Sequence, residues 1–331
     1  MNQPPIFIVG APRSGTSLLR QMLNRHPALA ICYETHFLRL VYGTRQRRAF
    51  GDLSDPQNRR RLVNQYVSLP YTRDLGVDCQ RLADKLMQEG ASYPAIFGCV
   101  LDFYAESQGK RRCGEKTPGH SLYVETLCEW FPGAIVLHII RDPRDVVASL
   151  MRMPFGSPSA MVNARTWRRY ALAARRSSHR PEYLEVRYET LVREPEQELT
   201  RICRFLGEEF SPCMLTAERE TLGHHGYRSP VTTERLGVWR GKLSRREVAQ
   251  VEWMAGSELE AFGYAREVPA ASAGTILAGA GFAALTVAKR AAPKLPALWQ
   301  RLFAPGEIAQ YEDRIREKTG ADSSAPRIQP R

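Results

Sequence analysis

The chain has 331 residues, of which 43% are hydrophobic and 25% are charged, as in ordinary soluble globular proteins. Its seven cysteines are odd in number and lack zinc-ligand spacing, which argues against a disulfide framework and a structural metal site. The formal net charge of +12 favours an anionic partner, such as a nucleotide, a sulfated or phosphorylated substrate, nucleic acid or an acidic membrane.

The chain begins with a short apolar run, PIFIVG, that is typical of a buried parallel strand. A glycine-rich loop follows, and SLLRQMLNRH then has the periodicity of a helix. The order of strand, glycine loop and helix is the context in which a phosphate-binding loop works, because backbone N–H groups and the helix dipole face the anion.

The glycine loop departs from the common G-x-x-x-x-G-K-[ST] pattern at one position. Thr16 stands where the lysine is expected, and Arg13 lies within the loop. An arginine fork can clamp a phosphate or sulfate without a metal, so the loop favours one short anionic group over a magnesium–triphosphate complex. The predicted anion-binding residues of the loop are Arg13, Ser14, Gly15, Thr16 and Ser17.

The stretch ICYETHF follows the first helix and predicts the end of a second strand. Glu34 would lie at the rim of the sheet, where a general base belongs if burial raises its pKa toward neutrality. His36 is a second candidate for the base. Residues 37–112 are rich in Arg, Tyr, Leu and Gln, and we interpret them as a mainly helical insertion that covers the site and shapes the acceptor pocket.

Two further segments offer cationic residues to the same edge. Lys116 lies in GEKTPGH, which predicts a turn before the helix that carries Trp130, and a lysine there can stabilise charge on a transferring group. The apolar run AIVLHII predicts a strand over 134–140, with Arg141 at its carboxyl end. A helix should begin near Pro143 or Arg144 and carry Ser149 two turns along, so that an arginine and a serine could grip a second phosphate.

The rest of the domain alternates helices and strands. The patterns predict helices over 161–177 and 194–207, a strand over 183–188, and a last helix from a Ser244 cap to Tyr264. Strands that alternate with helices predict an α/β fold in three layers, with a central parallel sheet and helices on both faces. The first domain is predicted to span residues 1–265.

Residues 266–331 form a predicted C-terminal extension in which the composition changes. Val268 to Ala288 carry no charge, residues 289–303 are basic and aromatic, and the remainder is a polar tail. Three interpretations of the uncharged segment stay open: a helix packed on the protein or a partner, a segment at a membrane surface, or a membrane span.

Taken together, these segments resemble the sulfotransferases that use 3′-phosphoadenosine 5′-phosphosulfate (PAPS). FIVGAPRSGTSLL is similar to the loop that binds the 5′-phosphosulfate, and IIRDPRDVVASL is similar to the motif for the 3′-phosphate. RYETLVREPEQELTRICRFLG and LGVWRGKLS are similar to later segments of the family. The resemblance covers roughly residues 5 to 264 and is greatest to the tyrosylprotein sulfotransferase branch.

The resemblance implies a P-loop-type fold and a role for each matching residue. Glu34 would be the base, with His36 as the alternative, and Lys116 would assist the leaving group together with Arg13. The remaining residues that would bind PAPS, or its product PAP, are Arg141, Ser149, Tyr188, Trp239, Arg240 and Lys242. His36 and Leu40 stand where that branch has basic residues that engage acidic peptides.

The expected reaction is an in-line transfer of a sulfuryl group from PAPS to a hydroxyl or phenol, without a metal. A small molecule, carbohydrate or lipid is favoured as acceptor over an acidic peptide, and no nucleic acid is expected. Two alternatives stay open: a P-loop phosphotransferase, and a non-catalytic membrane-associated protein. No secretory signal precedes the first strand, so we predict a cytoplasmic protein, with membrane contact through residues 268–303 and a homodimer as further hypotheses.

Overall fold

The computed structural model describes residues 3–215, 231–268 and 271–291. The predicted polar tail and residues 292–303 of the basic segment lie outside the described residues. The division into a domain of residues 1–265 and an extension of residues 266–331 stays a prediction.

Five strands within the described residues form one parallel sheet in the order β2-β3-β1-β4-β5. They are β1 (Ile6–Val9), β2 (Leu29–Cys32), β3 (Arg112–Lys116), β4 (Ile135–Ile140) and β5 (Tyr183–Arg187). Because every strand runs in the same direction, their carboxyl ends and the loops that follow share one edge, where open α/β sheets bind ligands.

Helices cover both faces of the sheet. In chain order they are α1 (Thr16–Asn24), α2 (Phe37–Leu40), α3 (Thr44–Phe50), α4 (Pro56–Ser68), α5 (Pro70–Arg73), α6 (Cys79–Glu89), α7 (Tyr93–Ser107), α8 (Val124–Trp130), α9 (Pro143–Leu150), α10 (Ala160–Arg175), α11 (Tyr188–Arg193), α12 (Pro195–Leu206), α13 (Arg245–Ala255), α14 (Glu258–Ala261) and α15 (Ala273–Ala291). Short 3-10 helices span Pro118–Tyr123, Pro212–Leu215, Thr233–Arg235 and Val238–Gly241. The predicted α/β architecture with a central parallel sheet is confirmed.

The central strand β1 shows why the sheet is buried on both sides. All four of its residues are apolar and fully buried. Ile6 and Ile8 pack with Leu19 of α1, whereas Phe7 stacks toward Phe97 of α7 on the opposite face. A strand with helices on both faces requires a continuous apolar run rather than an alternating one.

Two sequence predictions need correction. Lys116 does not lie in a turn: it ends β3, a strand that the sequence did not indicate because RCGEK contains no β-branched residue. Position 114 of this strand must be glycine, because a Cβ there would collide with the Ile31 side chain and the Ile6 carbonyl oxygen. The predicted helix from Ser244 to Tyr264 is divided into α13 and α14 at Gly256, whose φ of 65° interrupts the helix.

Helix α15 packs by one face on α10 and α13. Gly279 is buried at the contact, where a Cβ would meet the side chains of Met161 and Gln250, and Gln250 Nε2 donates to the Thr275 carbonyl at 3.2 Å. Among the described residues, no helix combines the length and apolar character that a membrane crossing requires.

Candidate active site

The glycine loop lies between β1 and α1 and leaves its amide groups open to an anion. A Cβ on Gly10 would collide with the Ile139 carbonyl oxygen, and one on Gly15 would collide with the Tyr188 ring. Both glycines have positive φ, 151° and 100°, so the turn depends on residues without a side chain. Helix α1 begins with no side-chain cap and no acidic residue in its first turn, which favours anion binding at its N-terminus.

Arg13 projects from this loop into a concentration of positive charge. Its backbone is left-handed, with φ 73°, and its Nε donates to Ser149 Oγ at 3.0 Å. Burial lowers the pKa of Arg13, and the nearby Arg235 and Arg141 lower it further. Because mutual repulsion among three guanidinium groups is relieved by a bound anion, their convergence indicates an anion site.

Arg141 forms one wall of the site and is held by the backbone around it. Its Nη1 donates to the Arg13 carbonyl at 3.3 Å and its Nη2 to the Arg235 carbonyl at 2.5 Å. Its guanidinium lies 4.3 Å from the centre of the Tyr188 ring, and Asp145 is 3.6 Å away. These contacts hold the guanidinium fork in one orientation at the wall of the cavity.

The structure brings most of the predicted anion-binding residues to one cavity. Of the predicted set, the cavity is lined by Arg13, Gly15, Thr16, Ser17, Arg141 and Tyr188. Thr232 and Arg235 also line it and were missed, since only a basic residue in a weakly patterned stretch could have indicated them. Ser14 Oγ and Arg141 Nε are buried with no hydrogen-bond partner among the described residues, so two donors at the cavity remain available to an anion.

The predicted segment LGVWRGKLS is placed beside the cavity rather than in its lining. The Trp239 ring lies between the guanidiniums of Arg144 and Arg240, 4.5 Å from each, and Arg240 pairs with Glu267. Lys242 is exposed. The segment is tied to α9 because Asp145 accepts from the amides of Gly237 and Trp239. A nucleotide-binding role for Trp239, Arg240 and Lys242 stays a prediction.

A second group of side chains lies at the ends of β2 and β3. Lys116 Nζ is 2.6 Å from Glu34 Oε1, and His36 Nε2 is 3.1 Å from Glu34 Oε2. Lys116 is fully buried, whereas Glu34 and His36 are 22% and 18% exposed. Three of the four predicted catalytic side chains therefore form one cluster whose carboxylate reaches the solvent side, and the fourth, Arg13, lies in the anion cavity.

The direction of the Glu34 pKa is opposite to the one the sequence suggested. Burial raises the pKa of the carboxyl, but Lys116 and the hydrogen bond from His36 lower it more, so the net pKa lies well below its usual range. Glu34 is therefore ionised at neutral pH and can accept a proton, although a low pKa weakens a base.

Tyr33 joins the two groups. Its ring lies 4.0 Å from Lys116 Nζ, and its hydroxyl lies close enough to Arg13 for that charge to affect its pKa. Burial raises the Tyr33 pKa, and Glu34 raises it further. Tyr33 therefore lies next to Lys116 and near Arg13, between the anion cavity and the Glu34 cluster.

A buried network behind Glu34 was not predicted from the sequence. Glu115 Oε1 accepts from the amide of Thr35 at 3.1 Å and from its hydroxyl at 2.8 Å, and also from the Thr117 hydroxyl. Glu115 Oε2 is 2.9 Å from His120 Nδ1. The loop that follows β2 is thereby fixed to β3, including His36, whose φ of 49° is unusual for a residue other than glycine.

No metal-binding cluster is found in the described parts of the chain. In residues 3–215, 231–268 and 271–291, no three His, Cys, Asp or Glu side chains lie so that they could hold an ion.

Comparison with known proteins gives consistent matches. Residues 4–212 match the model of the Sulfotransferase family. The omega-hydroxy-beta-dihydromenaquinone-9 sulfotransferase of Mycobacterium tuberculosis (strain CDC 1551 / Oshkosh) is 25% identical over 309 residues, covering 80% of this chain and 76% of that protein. Protein-tyrosine sulfotransferase 2 of Gallus gallus is 29% identical over 266 residues, covering 72% of this chain and 64% of that protein.

A solved structure has the same fold. The sulfotransferase domain of the Synechococcus PCC 7002 olefin synthase superposes with a TM-score of 0.58 at 25% identity, covering 81% of this chain and 96% of that domain.

Proposed function

The chain belongs to the sulfotransferase family and is a sulfuryl-transferring enzyme, and from this premise we propose that its donor is PAPS and its acceptor a hydroxyl or phenol. Family membership removes the phosphotransferase and the non-catalytic alternatives. The observation that carries the choice of donor is the convergence of Arg13, Arg141 and Arg235 at the uncapped N-terminus of α1.

In this proposal the two anionic ends of the donor bind separate sets of residues. The loop amides with Arg13, Thr16 and Ser17 hold the 5′-phosphosulfate, which supplies the sulfuryl group. Arg141 and Ser149 hold the 3′-phosphate. Arg13 Nε donates to Ser149 Oγ at 3.0 Å, so the two sets of residues are adjacent. When the donor binds, Arg13 and Ser149 give up this hydrogen bond and contact the donor instead.

Glu34 accepts the proton from the acceptor oxygen, with His36 as the less favoured base. The carboxylate suits this role because it is ionised and reaches solvent, while Lys116 holds one of its oxygens in place. When the donor binds, its negative charge competes with Glu34 for Lys116. That competition would raise the basicity of Glu34 and stabilise the departing phosphate.

The acceptor is a small molecule, a carbohydrate or a lipid in preference to an acidic peptide. His36 and Leu40 replace the basic residues expected for peptide binding, and the Tyr71 ring meets His36 edge-on at 4.5 Å, giving the base an aromatic wall. The named relatives act on a menaquinone derivative and on protein tyrosine, which are different acceptors. Cytoplasmic location and a homodimer stay predictions from the sequence.

The donor is tested by calorimetric titration with PAP and with AMP. We expect PAP to bind at least about tenfold more tightly, because a charge-assisted contact to the 3′-phosphate contributes about 1.5–3 kcal/mol. Equal affinity for PAP and AMP would contradict the proposal.

Two variants locate the 3′-phosphate. Ser149→Ala should weaken PAP about tenfold and leave AMP unchanged, since one hydrogen bond to the charged 3′-phosphate is lost. Arg141→Lys keeps the charge but loses the fork, and should reduce the preference for PAP further. Ser68→Ala, a helix serine on α4, is the matched control and should bind both nucleotides as the wild type does.

A further inference from the structure

The outward face of α15 is apolar and exposed, although the helix is fixed to the protein by its other face. Leu277, Phe282 and Leu285 are 71%, 48% and 50% exposed. Leu277 lies across the helix from Gly279, which is buried on α10 and α13, and Leu285 and Phe282 lie on the flank between them. Large apolar side chains that remain exposed on a packed helix mark a surface that meets another apolar phase.

Exposed basic residues lie on α10, one of the two helices on which α15 packs. Arg165 and Arg169 follow Met161, the residue that contacts Gly279, by one and two turns of α10 and are both exposed. With Arg168, Leu172 and Met254 they line an open groove between α10 and α13. Trp253 of α13, three residues after Gln250, is 48% exposed on the same helix pair.

A surface that combines arginines with exposed leucines and aromatic rings is complementary to a lipid bilayer, which has an apolar acyl region beneath charged headgroups. Apolar side chains enter the acyl boundary, while guanidinium groups reach the phosphates and tryptophan occupies the interface. The sequence that follows α15 continues the pattern, with Lys294, Trp299 and Arg301. A second copy of the chain fits less well, because it would bring two sets of arginines together in a protein of net charge +12.

We propose that the outward face of α15, together with Arg165 and Arg169, docks on an anionic lipid bilayer. The bilayer accepts Leu277, Phe282 and Leu285 at the level of the glycerol and upper acyl region, and its phosphates pair with the arginines. The helix lies parallel to the surface, and its inner face stays on the protein.

The test is sedimentation of the full chain with vesicles of mixed phosphatidylglycerol and phosphatidylcholine, compared with pure phosphatidylcholine vesicles, without nucleotide. We expect binding to the anionic vesicles that weakens as salt is raised. Arg165→Ala/Arg169→Ala should weaken it roughly thirtyfold, whereas the control Arg60→Ala/Arg81→Ala, two exposed arginines on α4 and α6, should not change it.

The apolar contribution is tested in the same assay. Leu277→Ser/Leu285→Ser should weaken vesicle binding roughly tenfold or more, and Leu277→Met/Leu285→Met should retain it. Thermal melts confirm that each variant is folded. Because no step uses a donor or acceptor, failure here leaves the assignment of PAPS untouched, and failure of the PAP titration leaves this proposal untouched.

Three outcomes would overturn the proposal. The first is recovery of the full chain in the supernatant with anionic vesicles. The second is equal binding to neutral and anionic vesicles. The third is a dimer in sedimentation velocity without vesicles that Leu277→Ser/Leu285→Ser converts to a monomer, since a second copy would then occupy the face.

Discussion

At the scale of single residues, Glu34 has two partners that both stabilise its ionised form. Lys116 at 2.6 Å and His36 at 3.1 Å both favour the carboxylate, and they hold its two oxygens apart in fixed orientations. An ionised base is ready for proton transfer, but its partners must loosen before it becomes a strong one. Lys116, which is fully buried, is the partner that a bound donor would compete for.

We predict that Glu34→Gln lowers kcat for transfer from PAPS to a simple phenol, such as 4-methylumbelliferone, by about 10²–10⁴-fold. The amide keeps the shape but cannot take the proton, so PAP affinity measured by calorimetry should stay within about threefold of the wild type. His36→Gln is the companion variant and should lose less. The reverse order of losses would assign the base to His36.

At the scale of elements, the strands that hold the site explain what the sequence could predict. The glycine loop, Glu34, Arg141 and Ser149 follow local patterns, so their positions after β1, after β2 and after β4 could be predicted. Strand β3 could not, because RCGEK has no strand-like alternation and becomes a strand only between its two neighbours.

Because the sequence does not indicate β3, it also does not indicate the contacts that depend on the pairing of β3. Cys32 and Glu115 are register partners, and this places Glu34 beside Lys116 although the two are far apart in the chain. The network of Glu115 with Thr35 and His120 follows from the same pairing, and no pattern in the sequence indicates it.

We predict that Glu115→Gln reduces kcat by more than tenfold while PAP affinity stays near that of the wild type. The carboxylate joins β3 to the loop that carries Glu34 and His36, so its loss should move the base without disturbing the anion cavity. Because Glu115 is fully buried, the free energy of unfolding should also fall, by about 3 kcal/mol.

The control for that variant is Glu106→Gln, which removes a surface ion pair with Lys85 and should alter neither quantity. A Glu115→Gln protein that turns over at the wild-type rate would show that the network does not position the base. Parallel losses of kcat and PAP affinity would instead indicate a general structural role.

At the scale of the whole molecule, His138 links the stability of the fold to pH. It lies in β4, is fully buried, and its Nδ1 is 2.5 Å from the Tyr183 hydroxyl. Burial and the nearby Arg175 lower its pKa to about 3. The unfolded chain has an ordinary histidine pKa of about 6.5, so between these values only the unfolded state takes up the proton.

We therefore predict that acidification destabilises the protein through His138. The stabilising effect is complete above pH ~6.5, and each unit below it costs up to about 1.4 kcal/mol until the folded-state pKa is reached. Urea unfolding at pH 7 and pH 5 should differ less for His138→Phe than for the wild type. His179→Phe, an exposed histidine, should keep the wild-type difference; an unchanged difference in His138→Phe would contradict the prediction.

The position of β1 in the middle of the sheet has a consequence for synthesis on the ribosome. Ile6 pairs with Gly114 on one side and with Ile135 on the other, so the first strand made has no partner until β3 and β4 emerge. At about 5–20 residues per second, that interval is roughly 6 to 26 seconds. During it the run IFIV is a natural target for nascent-chain chaperones, and we expect the yield of native protein to respond to translation speed.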